Sequence, residues 1–297
     1  MPAPGELHSI DGLQLHINCV GPASSVTIVI EAGAGTVSPV YARLQRELAR
    51  KYRVCVYDRP GLGWSEPDTE PLDGERNARR LHALLAAADV HGPLLLIGHS
   101  IGGLLNRIYV GLYPDQVAAV MMLDASHPQQ FGVIGDSMDA QLAAVVEVER
   151  AKRLKYRTEG TRPAEFAAIE AIFADMPEVL EQMAATYTPD ALDTMALEMQ
   201  GTHCVADQAG ASPDLGDRPM LALWAAQKAG VGGSPGIEAV HALWPDYQRQ
   251  HAALSKRGRE RMVPGAEHMT LAMLPPFVAL IADEVDTLVA QLGPVDH

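Results

Sequence analysis

Leu94-Leu-Leu-Ile-Gly-His-Ser-Ile-Gly-Gly103 is the segment that decides the fold. It opens on an unbroken apolar run, Leu94 to Ile97, of the length and character of a strand buried on both faces. From Ile101 to Tyr113 the apolar spacing is helical, and Pro114 ends it. Ser100 stands at the corner between strand and helix, bracketed by Gly98 and Gly102. So sharp a corner forces strained backbone on the residue at its apex, and glycines on either side remove the side chains that would collide there. The apical hydroxyl is then exposed at a helix N-terminus, where the dipole favours developing negative charge.

Outward from this corner the chain alternates. Before it, Val26-Thr-Ile-Val-Ile30 and Arg53-Val-Cys-Val-Tyr57 read as strands. Between and after them lie helical patterns, with Tyr41, Leu44 and Leu48 on one face and Leu81, Leu84 and Leu85 on another. Beyond the corner, Val117 to Leu123 is a further strand closed by Asp124. At the start, Leu7 to Ile10 and Leu13 to Val20 flank Asp11-Gly12, the signal of a tight hairpin. The order of strands and helices implies a doubly wound, mostly parallel sheet with right-handed crossovers.

From about His127 to Asp217 the rhythm breaks into helical patterns interrupted by Gly160, Pro163, Pro177 and Pro189. It resumes at Pro219-Met-Leu-Ala-Leu-Trp224, then a helix from His241 to Leu254, a short strand near Arg261-Met-Val263 and a last helix from Pro276 to Leu292. The expectation is one α/β core of residues 1–126 and 218–297, with 127–217 as a helical lid inserted over it.

Gly98-His-Ser-Ile-Gly102 fits the G-x-S-x-G nucleophile elbow in the strand–turn–helix setting which that motif requires. Over nearly its whole length the chain resembles the α/β-hydrolase superfamily. Glu31-Ala-Gly-Ala-Gly35 is similar to the family's oxyanion loop, and Tyr57-Asp-Arg-Pro-Gly-Leu-Gly-Trp-Ser-Glu66 to the segment after its fourth strand. Gly265-Ala-Glu-His268 resembles the loop that carries the catalytic histidine.

The resemblance implies that Ser100 is the nucleophile and His268 the general base. It also implies an oxyanion hole made by the backbone N–H groups of Ile101 and Ala34, with Gly33 or Gly35 as substitutes for Ala34 if the loop register differs. In most of the family the acid follows the seventh strand, but here no carboxylate appears after that strand until Glu238. A minority supplies it after the sixth, where Asp124 sits, so Asp124 leads, with Glu238 and Asp246 as alternatives. His99, Asp58, Arg59 and Glu31 read as packing or hydrogen-bonding residues beside the site. Gly33, His127 and Trp224 are candidate walls of a substrate pocket, although Trp224 equally fits a packing role.

Composition narrows the function from outside. Of 297 residues, 47% are hydrophobic and 20% charged, an ordinary globular profile, and the formal charge of −14 disfavours nucleic acid and anionic membranes as partners. No apolar run is long enough to suggest a membrane span, and Met1-Pro-Ala-Pro-Gly-Glu has neither a basic nor an apolar leader region. Cys19, Cys55 and Cys204 are scattered and odd in number, which reads as unpaired thiols in a reducing, cytoplasmic setting. No metal-ligand spacing and no phosphate-binding glycine loop is present, so no metal or organic cofactor is expected. The oligomeric state has no signature in the sequence.

Phe131, Met138, Phe166, Phe173, Met176, Met183, Tyr187, Met195 and Met199 give the insertion an apolar, adaptable character. The expected activity is therefore serine-dependent hydrolysis of a small to medium, mainly apolar carboxylic ester, lactone or thioester through an acyl-enzyme. Amide or C–C bond hydrolysis, perhydrolysis, or a ligand-binding protein without turnover are the alternatives.

Overall fold

The computed structural model describes residues 2–134, 137–160, 165–226 and 235–293, and the side chains of all of these except 137–145 and 165. Met138, expected in the insertion's apolar set, lies outside the described side chains.

Eight strands form one sheet: β1 (Glu6–Ile10), β2 (Leu13–Val20), β3 (Thr27–Glu31), β4 (Arg53–Tyr57), β5 (Leu94–His99), β6 (Val117–Leu123), β7 (Met220–Ala225) and β8 (Gly258–Val263). Their lateral order is β1-β2-β4-β3-β5-β6-β7-β8. The β1–β2 hairpin closes with Ile10 opposite Leu13, as the Asp11-Gly12 turn demands, and β2 joins β4 antiparallel. All other pairings are parallel. The expected doubly wound, mostly parallel sheet is what forms.

Helices α1 (Ala42–Leu48), α2 (Gly74–Ala87) and α3 (Ile101–Leu112) connect the first parallel strands. Between β6 and β7 run α4 (Gln130–Ile134), α5 (Ser137–Glu159), α6 (Glu165–Ile172), α7 (Pro177–Thr186), α8 (Asp190–Gln200) and α9 (Thr202–Ala211), and α10 (Pro235–Ala253) and α11 (Pro275–Ala290) complete the chain. The central strands are apolar on both faces because both are covered. Leu94 and Leu96 of β5 pack with Leu81, Leu104 and Val205 on one side, while Leu95 and Ile97 pack with Leu44, Leu48 and Ile281 on the other. Edge strand β8 reads Gly-Arg-Glu-Arg-Met-Val and is largely solvent-exposed, consistent with charges that blunt a sheet edge.

The region between β6 and β7 holds helices and no strand among the described residues, but it is not uniform. Val205, Ala206 and Ala209 of α9 and Phe131 of α4 belong to the main core. Phe173, Met176 and Met183 form a separate buried cluster with Val179 and Met273.

One reading is corrected. Antiparallel β2 and β4 set Cys19 directly opposite Cys55, and the two form a disulfide; Cys204 is a free, exposed thiol. A separation of 36 residues conceals this, because lateral pairing of strands is invisible in linear spacing. The argument for a reducing compartment drawn from unpaired cysteines loses its basis. Among the described residues no helix is long and apolar enough to cross a membrane.

Candidate active site

Ser100 adopts φ 56° and ψ −125° between the end of β5 and the start of α3. The flanking glycines are sterically required. A Cβ on Gly98 would lie 2.5 Å from the carbonyl oxygen of Gly102, and one on Gly102 would lie 2.4 Å from that of Glu31. The strained residue is pinned from the neighbouring strand's end, as its N–H donates to Leu123 O (3.2 Å) and its own carbonyl accepts from Ser126 N (3.0 Å).

His268 sits in the loop after β8, and its Nδ1 lies 2.6 Å from Asp124 Oδ2. The other oxygen of Asp124 accepts from Ala225 N (3.0 Å) and from Trp244 Nε1 (2.9 Å). Asp124 is itself in left-handed backbone, φ 45°, which turns its side chain at the end of β6. Burial works to raise the Asp124 carboxyl, but the contact and charge of His268, with the Trp244 and Ala225 donors, outweigh it and hold the group below the usual carboxylate range. An ionised Asp124 fixes the proton on His268 Nδ1 and leaves Nε2 bare, the form that can accept a proton. Of the three carboxylates considered, Asp124 is the one that reaches His268. Glu238 is exposed on α10, and Asp246 is exposed and paired with Arg249. Among the described residues no hydrogen bond joins Ser100 Oγ to His268, a link that in unliganded sites is often formed only with substrate.

The loop Gly33-Ala-Gly35 after β3 faces the nucleophile turn: a Cβ on Gly33 would fall 3.3 Å from the Cβ of Ser100. Gly33 N–H donates to Tyr41 Oη (3.0 Å) and Gly35 N–H to Glu198 Oε2 (2.6 Å). Ala34 N–H has no protein acceptor among the described residues. Ile101 N–H, at the first position of α3, is one of the donors that helix geometry leaves without an intrahelical partner.

His99 connects the two halves of the site. Its Nε2 donates to His268 O (3.0 Å), so Nδ1 is bare and accepts from the Tyr41 hydroxyl (2.8 Å). Burial, reinforced by the nearby His268, pushes the His99 imidazole down to about 3 and keeps it neutral. Asp58, Arg59 and Glu31 lie beneath, buried. Asp58 accepts from His16 Nδ1 (2.7 Å), Ser38 N (2.7 Å) and Ser38 Oγ (3.0 Å). Arg59 donates to Glu31 Oε1 (2.8 Å), Ala32 O (2.7 Å) and Gly33 O (2.7 Å).

Two candidate pocket walls are placed elsewhere. Trp224 donates through Nε1 to Glu260 (2.9 Å) on edge strand β8, at an exposed position. The indole at the site is Trp244 of α10. His127 is stacked on Tyr247, ring centroids 4.4 Å apart, beside His251, with no hydrogen bond or ring contact to Ser100 or His268 among the described residues. Of the insertion's apolar residues it is Met195 that meets the loop, with Sδ 2.9 Å from where a Cβ on Gly35 would stand. Tyr41, Trp244 and Glu198 carried no site signal in the sequence, because each acts through a partner distant along the chain.

A serine in a strained turn, an imidazole bound to a carboxylate and backbone amides without described acceptors are the groups that acyl transfer requires. Comparison with known proteins agrees with this architecture. Residues 26–159 match the family model described as alpha/beta hydrolase fold. The uncharacterized protein YqjL of Bacillus subtilis is 31% identical over 117 residues, 39% of this chain and 46% of that protein. The first curated relatives are thus matched over less than half of their own length. Among solved structures, a thermophilic esterase from Thermogutta terrifontis is 19% identical, with 96% of this chain and 99% of that one covered and a TM-score of 0.64. The enol-lactonase from Burkholderia xenovorans LB400 is 17% identical, with 96% and 100% covered and a TM-score of 0.61. This sheet order, the nucleophile turn and the family match across that turn give the chain the α/β-hydrolase fold.

Proposed function

We propose that the chain is a serine hydrolase that cleaves a small to medium, mainly apolar carboxylic ester, lactone or thioester. The observation that carries the reading is the 2.6 Å contact of Asp124 with His268 Nδ1, on the same sheet edge as a serine held at φ 56°. Similarity in fold to an esterase and an enol-lactonase supports the ester class. In this reading Ser100 Oγ attacks the carbonyl carbon while His268 Nε2 takes its proton. The resulting oxyanion accepts from Ala34 and Ile101 N–H. Collapse expels the alkoxide or thiolate, which receives the proton from His268 and leaves an acyl-Ser100. A water molecule, deprotonated by the same nitrogen, then releases the acid. Helices between β6 and β7 serve as the lid in this reading, with Glu198 and Met195 of α8 against the Gly33–Gly35 loop.

Labelling with a fluorescent fluorophosphonate tests this directly. Wild type is expected to label rapidly, Ser100→Ala not at all, and His268→Ala weakly. A folded, monodisperse wild type that takes no label would sink the hydrolase reading and leave a ligand-binding protein in its place.

A further inference from the structure

Glu198 belongs to α8, 163 residues along the chain from the loop that it touches. Its carboxylate is buried and divided between two partners. Oε2 accepts from Gly35 N–H at 2.6 Å, while Oε1 and Oε2 accept from Arg59 Nε (2.5 Å) and Nη2 (3.0 Å). Arg59 in turn grips the carbonyls of Ala32 and Gly33. Tyr41 takes the Gly33 N–H from the other side. The loop is thus held at the carbonyls of 32 and 33 and at the amides of 33 and 35, and of its three amides Ala34 N–H has no acceptor among the described residues. Gly35 has φ 62° and Met195 of the same helix packs against it, so α8 lies directly on the loop.

We infer that Glu198 is a positioning residue for the oxyanion hole, supplied by the insertion. Its acceptor on Gly35 N–H sets the rotation of the Gly33–Gly35 peptides and so aims the Ala34 N–H at the developing charge. A carboxylate suits this task because it only accepts, and cannot compete as a donor for the oxyanion. Its charge would oppose an oxyanion nearby, and the Arg59 guanidinium offsets it. The lid and the oxyanion hole are on this account one mechanical unit: displacing α8 removes the Gly35 acceptor and slackens the loop.

The inference rests on the serine-hydrolase reading for its kinetic consequence, but not for its structural one. Glu198→Ala, hydrolysing p-nitrophenyl butyrate, is expected to lose about 10- to 100-fold in kcat with KM within about threefold, the pattern of a misaimed transition-state donor. Affinity for phenylboronic acid, which forms a tetrahedral adduct on an active serine, is expected to weaken by the same factor. Glu198→Gln keeps a carbonyl oxygen for Gly35 N–H and is expected to recover most of the loss. Equal losses in the Ala and Gln variants would overturn the Gly35 route, and so would a folded Glu198→Ala with wild-type kcat. If Glu198→Ala does not fold, Glu198→Asp withdraws the carboxylate by one methylene but keeps its charge. It is expected to lower kcat without raising KM, and wild-type kcat there overturns the inference.

Amide hydrogen exchange separates this from failure of the activity itself. Exchange in the 33–36 loop is expected to accelerate in Glu198→Ala whether or not wild type turns over any ester. Unchanged exchange sinks the inference even if fluorophosphonate labels Ser100.

Discussion

Among the described residues, the two histidine–carboxylate pairs whose carboxylate is buried have nearly the same contact distance. His268 Nδ1 lies 2.6 Å from Asp124, and His16 Nδ1 lies 2.7 Å from Asp58. What differs is everything around them. Both side chains of the His16 pair are fully buried, and its second nitrogen, Nε2, is bound to the carbonyl of Pro4. The His268 side chain is 25% exposed, and its Nε2 has no partner among the described residues. A pair with both nitrogens engaged can only hold structure. One with a free, accessible nitrogen beside a strained serine can move a proton. The distance that usually advertises a catalytic dyad is therefore the least informative number of the set.

The largest expected effect separates the pairs by chemistry. In Asp124→Asn the amide no longer fixes the proton on His268 Nδ1, and kcat for ester hydrolysis is expected to fall by roughly 10⁴ with the circular-dichroism spectrum unchanged. Glu238→Gln is expected to stay within about twofold of wild type, because its carboxylate is exposed and has no hydrogen bond to the imidazole among the described residues. Matching losses in the two variants would move the acid to α10.

His16→Ala is the converse. Removing one member of a sealed pair strands the other, and Asp58 would keep only Ser38 and the Trp64 N–H as donors. The expected loss is about 3 kcal/mol of unfolding free energy in urea, with kcat of the folded fraction within about threefold of wild type. A variant as stable as wild type but inactive would show that this pair, too, serves the chemistry.

The sequence made the first contrast legible and hid the second. Ser100 and Asp124 stand at the ends of strands that apolar runs mark clearly, and His268 in the loop between the short charged strand β8 and the last helix, so their shared edge follows from the order of elements. The supports were not readable in that way. Trp244 meets Asp124 across 120 residues, and Glu198 meets Gly35 across 163, through packing that no local spacing encodes. Tyr41 was visible as an apolar helix position, yet its hydroxyl carries the bond to His99. The contact that Trp224 makes has a simple cause. Successive residues of a strand alternate in facing, and Leu223 and Ala225 both belong to the core packed against α1 and α11. Trp224 therefore points to the other face, where Glu260 receives it. Proximity of Cys19 and Cys55 was hidden for the reason that applies to any sheet: strands adjacent in space need not be adjacent in sequence.

His99 is a third case, a buried histidine with no carboxylate bound to it, and its protonation makes stability depend on pH. Its neighbours are the Tyr41 hydroxyl and the carbonyl of His268, and burial pushes it down to about 3 against an unfolded value near 6.5. Below about pH 6.5 the unfolded chain takes up a proton that the folded chain refuses. The stability from a neutral His99 is thus fully present above that pH and is lost progressively as pH falls toward 3. Urea unfolding of wild type is expected to lose up to about 1.4 kcal/mol per pH unit more than His99→Gln between roughly pH 6 and pH 4. The neutral amide of the variant has nothing to titrate, while the slopes from His127 and His251, pushed down to about 4 and about 3 by burial, remain common to both proteins. Parallel acid limbs would mean that His99 is protonated in the folded state. Its Nδ1 would then donate to Tyr41 Oη, which already accepts from Gly33 N–H, and the Tyr41 hydroxyl proton would need another acceptor.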